Sequence, residues 1–288
     1  MSLHAIIPGT LHGASGWLRG GAQPVSWLPP DLRGWLPVTA YALTDGTEWM
    51  AVDTGLPVHW PVLRPALEAT LGDTTRRRMV NTRREQDCMA NLHAMTQALG
   101  ITEVPYVGVL NPLELMDWVE ATEAHARIEA MAPVRAVRIE VGQVLEVGRL
   151  RLEPLRVQLR LLATNWFYEH TTRSLFTSES FGFLTRDDPG QPLVRDPGEK
   201  PFEIGAIAGM LSAKFDWLVG IDPAPILADL DAIFAARAVD RICPCHGCVI
   251  EGTAAVAGAV AATRSAIRLL AGRAKPAWSW PVTRQGVS

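Results

Sequence analysis

Cysteine is scarce: the 288-residue chain has four, and three of them crowd into Cys243-Pro244-Cys245-His246-Gly247-Cys248. That excludes a disulfide framework and fits a reducing cytoplasm. An excess of either charge is also missing. A formal net charge of -3 and an isoelectric point near 6.2 offer no basic surface to nucleic acid or an anionic membrane, and Arg76-Arg77-Arg78 is too short a cluster to supply one. No apolar run approaches the roughly 18 residues of a membrane span, and the N-terminus lacks a charged segment leading into an apolar one. The expectation is a soluble cytoplasmic protein with neither nucleic acid nor membrane as partner.

The length is enough for one α/β domain over residues 1–288, with a core that needs no staples. Tryptophan is plentiful, ten residues in all, with Trp17, Trp27, Trp35, Trp49 and Trp60 in the first sixty positions. Packed aromatics account for most of these. A tryptophan-rich arm is also a candidate homodimer interface.

Residues 1–34 are rich in glycine and proline and show no period, which predicts an irregular N-terminal arm over the core. The spacing predicts strands over 35–41 and 48–52, joined by a hairpin turn at Thr44-Asp45-Gly46-Thr47. The second strand closes on Asp53-Thr54-Gly55. A helix over 62–71 and a strand over 78–82 follow. That strand delivers the polar run Arg83-Arg84-Glu85-Gln86-Asp87-Cys88 at its carboxyl end, where open α/β sheets collect ligands. A helix over 90–99 stopped by Gly100, a strand over 105–110 and a helix over 113–132 come next.

From Val134 the pattern alternates (137–141, 144–147, 150–155), predicting antiparallel strands that open a second sheet and continue over 159–166 and 174–179. The Pro/Gly-rich stretch 186–201 reads as a surface excursion. Helices over 204–218 and 224–237, a strand over 239–243, the turn Cys245-His246-Gly247 and an alanine-rich helix over 253–270 complete the domain, with 271–288 as a tail. Strand, polar turn and helix recur in both halves, as in an αββα sandwich.

Five stretches carry a resemblance. They are Val52-Asp53-Thr54-Gly55, then Arg83-x-Glu85-x-Asp87-Cys88, Asn165-Trp166, Leu175-Phe176-Thr177-Ser178-Glu179-Ser180-Phe181-Gly182, and Pro244-Cys245-His246-Gly247. In this order the chain resembles the metallo-β-lactamase superfamily, and within it the β-lactamase-like domain of the flavodiiron branch. The family's loop reads His-x-His-x-Asp-His, or His-x-Glu-x-Asp-His in the flavodiiron branch, so both histidines are replaced here. The resemblance implies an α/β fold, the αββα four-layer metallo-β-lactamase sandwich, with Asp53 bracing the loop from below.

It also implies a division of labour. Arg83, Glu85 and Asn165 stand at the first metal position, and Asp87, Cys88, Glu179 and His246 at the second. Arginine has no lone pair to donate and carries a permanent charge. The expectation is an empty first position in which the Arg83 guanidinium pairs with Glu85 or Glu179. Thiolate, imidazole and carboxylate at the second position suit one Zn or Fe ion, so the expected cofactor is at most one such ion, or none.

Plainer roles exist for each residue. Glu85 and Asp87 could cap the following helix, Cys88 could be a small buried apolar residue, and His246 a turn histidine. Arg83 could be an ion-pair partner and not a substrate anchor. The cysteine cluster around His246 could hold a second metal or cycle as a thiol pair, and His170 could line the pocket.

Three functions stay open. One is a mononuclear metal-dependent hydrolase in which Arg83 and Asn165 face a small, anionic substrate. Another is a non-catalytic binding or regulatory module on the same scaffold, with a small-molecule ligand. The third is a flavodiiron-like oxygen or nitric oxide protein, which in the family needs two irons and a flavin domain; no Gly-rich flavin segment follows in this sequence.

Overall fold

The computed structural model describes residues 3–21, 28–29, 31–109, 111–113, 133–195 and 201–274. Its central strand, β3 (Trp35–Thr44), is buried at every position but the first, and its alternate residues serve different layers. Tyr41 and Leu43 point into a core shared by two sheets. Ala40 and Ala42 face the other way, where their small side chains let helices approach.

The first sheet has seven strands in chain order: β1 (Leu3–Ile7), β2 (Leu11–Arg19), β3, β4 (Glu48–Val52), β5 (Arg76–Val80), β6 (Glu103–Val107) and β7 (Arg135–Ile139). Pairing is antiparallel from β1 to β4 and parallel from β4 to β7. The second sheet comprises β8 (Leu145–Val147), β9 (Leu150–Arg156), β10 (Asn165–Glu169), β11 (Ser174–Phe176), β12 (Val194–Arg195), β13 (Arg241–Cys243) and β14 (Val249–Glu251), in the spatial order β12-β14-β13-β11-β10-β9-β8.

Helices α1 (Trp60–Glu68) and α3 (Leu92–Leu99) pack on the outer face of the first sheet through Leu63, Leu67, Leu92, Met95 and Leu99. A single turn, α2 (Gln86–Met89), precedes α3. Helices α4 (Ile204–Lys214), α5 (Ala224–Ala236) and α6 (Thr253–Ala271) cover the second sheet. The result is the expected αββα sandwich, whose middle core unites Val52 and Val80 with Phe167, Phe176 and Val249.

Several expectations need correction. Residues 3–19 are not an irregular arm: β1 and β2 form a hairpin, and β2 pairs with β3 from Leu11↔Leu43 to Arg19↔Trp35. Its glycines hide the strand signal because neighbours need the bare backbone. A Cβ on Gly13 would lie 2.6 Å from Leu193 Cδ2, and one on Gly16 2.0 Å from His59 Cγ. Tertiary pairing here overrides weak β-propensity. Trp27, most of the helix expected over 113–132 and most of the tail over 271–288 lie outside the described residues.

Residues 135–139 belong to the first sheet, parallel to β6, because alternation alone does not say which sheet a strand joins. The strand expected over 159–166 begins only at Asn165. Ahead of it the backbone is captured by side chains: Asp229 accepts from Gln158 N at 2.7 Å and Glu179 from Leu161 N at 3.2 Å. The stretch 186–195 is a surface excursion only in part: residues 187–192 lie at the surface, while its two ends are anchored. Arg186 pairs with Trp35 through N–H···O bonds of 2.9 and 2.6 Å, and β12 completes the second sheet. Finally, α6 has 19 residues with a mean hydropathy of 1.3, long and apolar enough by length and composition to cross a membrane. Its Val256, Ala259, Ala266, Ile267 and Leu270 are buried in the core on the second sheet.

Candidate functional site

Both sheets send the carboxyl ends of parallel strands to one edge of the sandwich. From the first come Asp53-Thr54-Gly55 after β4 and residues 81–88 after β5. From the second come residues 177–182 after β11 and 244–247 after β13. Asp53 braces the first loop, as expected: its carboxylate accepts from Thr82 N at 2.7 Å and from Thr82 Oγ1 at 2.8 and 3.0 Å.

The last turn docks against β3. Cys245 O accepts from Thr39 N at 2.8 Å, Gly247 N donates to Pro37 O at 2.8 Å, and Tyr41 Oη donates to Pro244 O at 2.7 Å. Glycines permit the closest approach. A Cβ on Gly182 would sit 2.5 Å from His246 Nδ1, and one on Gly247 (φ +93) 2.7 Å from the Gly182 carbonyl carbon. Among the described residues five non-glycines adopt positive φ. Asp53, Leu162, Ser178 and Phe181 are four of them, all in loops that converge here. Each costs on the order of 1–3 kcal/mol, which the surrounding contacts offset.

Arg83 lies at the middle of this convergence, with its side chain 0% exposed. Its guanidinium donates to both oxygens of Asp87 and to Glu179 Oε2, and lies 3.5 Å from Glu85 Oε2. Glu179 is fully engaged. Its Oε2 also accepts from Ser178 Oγ at 2.7 Å, and its Oε1 accepts from Leu161 N and from Thr164 Oγ1 at 3.3 Å. Glu85 accepts from Lys214 Nζ at 2.8 Å, a bond between α4 and the loop. Neither acid caps the following helix turn, which has no side-chain cap.

The expected pairing of Arg83 with Glu85 or Glu179 is therefore found, and Asp87 joins it. Burial alone pushes the Asp87 carboxyl up, but the adjacent Arg83 and, less strongly, His246 and Lys214 hold it well below the usual range. Burial works against the charged Arg83 too, and the surrounding acids and thiols outweigh it, leaving the guanidinium more firmly protonated than usual.

On the far side of Asp87 the chemistry changes. Asp87, Cys245 and His246 bring one oxygen, one sulfur and one ring nitrogen within 4.8 Å of one another, and Asp53, Cys88 and Cys245 form a second such group. Asp87 Oδ2 accepts from Cys245 Sγ at 3.5 Å, and Cys88 Sγ lies 3.5 Å from Thr82 Oγ1. Burial holds His246 down to about 4 and lifts the Cys245 thiol to about 11, while a hydrogen bond from Cys88 works to lower the latter. Burial, aided by the Asp87 charge, raises Asp53 to about 7 against the Thr82 hydrogen bonds.

Of the sequence candidates, Arg83, Glu85, Asp87 and Glu179 thus form one ion-pair network. His246 meets Asp87 and Cys245, while Cys88 meets Asp53 and Cys245. Asn165 lines a cavity of about 10 Å³ with Arg83. His170 lies elsewhere, 3.0 Å from Glu153.

Two residues escaped sequence reasoning. Cys245 had a signal, its place beside His246, that was read only as part of a cysteine cluster. Lys214 had none, standing 129 positions from Glu85.

Asp87, Cys245 and His246 together offer oxygen, sulfur and nitrogen donors of the kind that can hold a metal ion. The carboxylates of Asp87 and Glu179 are at the same time fully engaged, Asp87 by Arg83 and Glu179 by Arg83, Ser178, Leu161 and Thr164.

No protein-family model and no curated protein matches the chain by sequence. Solved structures match in fold. The rubredoxin oxygen:oxidoreductase of Desulfovibrio gigas is 18% identical with a TM-score of 0.64, over 92% of this chain and 61% of that one. A diflavin flavoprotein fragment from Nostoc sp. is 14% identical with a TM-score of 0.61, covering 93% of this chain and 100% of the fragment. A metallo-β-lactamase from Pontibacter korlensis is 12% identical with a TM-score of 0.56, covering 91% and 98%. The chain spans about three-fifths of the Desulfovibrio protein. It has the metallo-β-lactamase fold, and flavodiiron proteins are among its structural neighbours.

Proposed function

We propose that this chain is a non-hydrolytic member of the metallo-β-lactamase fold, a cytoplasmic binding module whose usual catalytic edge has become a closed structural centre. The observation that carries this reading is the enclosure of Arg83. A metal-dependent hydrolase needs an open coordination position and room for substrate. Here a buried guanidinium stands among Asp87, Glu179 and Glu85. The cavities beside it, one lined by Asn165 and Tyr106 and the other by Glu179, Lys214 and His246, measure about 10 Å³ each. That is room for about one water molecule.

A ligand-sized space lies further along α4. A cavity of about 710 Å³ is lined by Phe183, Arg186, Arg195, Phe202, Glu203 and Cys248, among others. Its size falls in the usual range for small-molecule sites. Arg186 and Arg195 share the wall with Asp187 and Glu203, and Arg195 lies over the Phe202 ring at 4.5 Å, so the wall offers a small molecule groups of both charges and an aromatic face.

The test is turnover. Zinc-loaded and iron-loaded protein is assayed against a cephalosporin, a thioester, a phosphodiester and a lactone. The expected result is no rate above buffer. Turnover that disappears in Asp87→Ala overturns the reading and restores the mononuclear hydrolase. Thermal-shift screening of small carboxylates and phosphates checks the cavity, with any stabilisation expected to vanish in Arg195→Ala.

A further inference from the structure

The four cysteines do not share one environment. Cys243 sits in the core between the sheets, and Cys248 stands on the wall of the larger cavity. Cys88 and Cys245 meet each other. We propose that these two form a peroxide-reactive dithiol, which a small neutral hydroperoxide oxidises to a disulfide that ties the two halves of the sandwich together. The proposal goes beyond the binding-module reading and does not depend on it.

Three observations carry it. The first is placement. Cys88 lies in α2, behind β5 of the first sheet, and Cys245 in the turn behind β13 of the second. Sequence spacing suggests a thiol pair within 243–248, whereas the fold makes one across the two sheets. The Cys88 and Cys245 sulfurs lie within 4.8 Å of each other and of an Asp53 oxygen, and the Cys88 thiol donates a hydrogen bond to the Cys245 sulfur. The second is rigidity. Cys88 N donates to Glu85 O at 3.0 Å, and Cys88 O accepts from Asn81 Nδ2. Cys245 N donates to Ser178 O at 2.8 Å, and Cys245 O accepts from Thr39 N at 2.8 Å. With both backbones pinned, the sulfurs are held as neighbours before any oxidant arrives, so little freedom is lost when they join.

The third is access. Cys88 and Cys245 are 0% and 1% exposed, which shuts out protein oxidants and bulky disulfides. The cavity that His246 lines with Glu179, Lys214 and Phe215 measures about 10 Å³, room for about one water molecule. Hydrogen peroxide is uncharged and only one oxygen atom larger than water, so a slight local opening admits it.

The chemistry balances without another reactant. Cys245 Sγ gives up the proton directed at Asp87 Oδ2, 3.5 Å away, and attacks one peroxide oxygen. The O–O bond breaks, an S–O bond forms, and the leaving hydroxide takes that proton to become water. Cys88 Sγ then displaces the sulfur-bound hydroxyl, so that the S–S bond forms, the S–O bond breaks, and a second water leaves with the Cys88 proton. Each sulfur gives one electron to the peroxide. The cross-link closes a long loop that runs from the first sheet through most of the second, which restricts the unfolded chain.

Reduced protein is exchanged into metal-free buffer, treated with hydrogen peroxide and digested without reduction. Mass spectrometry should find the Cys88 peptide joined to the Cys245 peptide, each short of one hydrogen, and dithiothreitol should separate them. The urea midpoint of the oxidised protein should lie above that of the reduced protein and return with dithiothreitol. Neither Cys88→Ala nor Cys245→Ala should yield the joined peptide. Cysteines left unjoined, oxygen added to Cys88 or Cys245 without a link, a link through Cys243 or Cys248, or a midpoint that does not rise would overturn the proposal. Mapping and midpoint are read on the unaltered chain, so a variant that fails to fold leaves the test intact. The non-hydrolytic reading is untouched by any of these results, since it falls only to turnover.

Discussion

Asp87 divides the centre into two regions that manage buried charge differently. On one side a fixed cation, Arg83, answers Asp87 and Glu179 with charge-assisted hydrogen bonds. The other side carries Cys245 and His246, both buried and both neutral until something binds. A guanidinium cannot leave or lose its proton, so the first side is a permanent part of the fold. A thiol can exchange its proton for a metal and a neutral imidazole can offer a ring lone pair, so the second side stays conditional. Within a single site, residue type alone therefore separates structure from capacity.

The sharpest way to break this contrast is to remove the fixed cation. Arg83→Ala leaves two buried carboxylates without their counter-charge and should cost about 3–5 kcal/mol in urea unfolding. Replacing Arg83, Asp87 and Glu179 together by Met, Asn and Gln should recover most of that loss, because no charge is then stranded. A cost below about 1 kcal/mol for Arg83→Ala would mean the guanidinium is not the centre's counter-ion.

Packing beneath His246 comes next. Gly182→Ala puts a methyl 2.5 Å from His246 Nδ1 and from the His246 carbonyl oxygen. Overpacking of this kind should cost about 1–3 kcal/mol, read by the same unfolding assay.

The two sides should also part with pH, measured on chelated protein. His246 has a folded value of about 4 against an ordinary 6.5. Its contribution is present above pH 6.5 and is lost as the pH falls toward 4. Asp53 behaves oppositely. Raised from 3.8 to about 7, it contributes fully below pH 4, and that contribution fades as the pH rises through 7. Wild type should thus change little between pH 4 and 6.5. Asp53→Asn should expose the histidine's loss on acidification, and His246→Gln the aspartate's loss toward pH 7. Variants whose profiles match the wild type would contradict both assignments.

The smallest effect is expected at the rim. Glu85 is 22% exposed, paired with Lys214 and more distantly with Arg83, and Glu85→Gln should cost no more than about 1 kcal/mol. A larger loss would extend the buried network outward to α4.

Much of the scaffold was legible because its signals are local. Asp45-Gly46 announced the first hairpin, and Asp45 does fold back onto the backbone of Thr47 and Glu48 at 2.9 and 3.2 Å. Gly100 stopped α3 in the left-handed conformation. Asp53 was readable as a brace because it closes a strand next to a polar loop. The β1–β2 hairpin was not, since Gly13 and Gly16 owe their identity to Leu193 and His59, which no window around them contains.

By itself the sequence determined the αββα layering and the replacement of two histidines by Arg83 and Cys88, because period, turn chemistry and residue type act over a few positions. Only the tertiary structure decided that Lys214 closes on Glu85, that Arg83 is enclosed by three acids, and that Cys245, not Cys88, faces Asp87 and His246. Those outcomes depend on where side chains from distant loops end in space. A short-range interaction such as an ion pair or a sulfur contact exists only once the sheets have brought its two halves together.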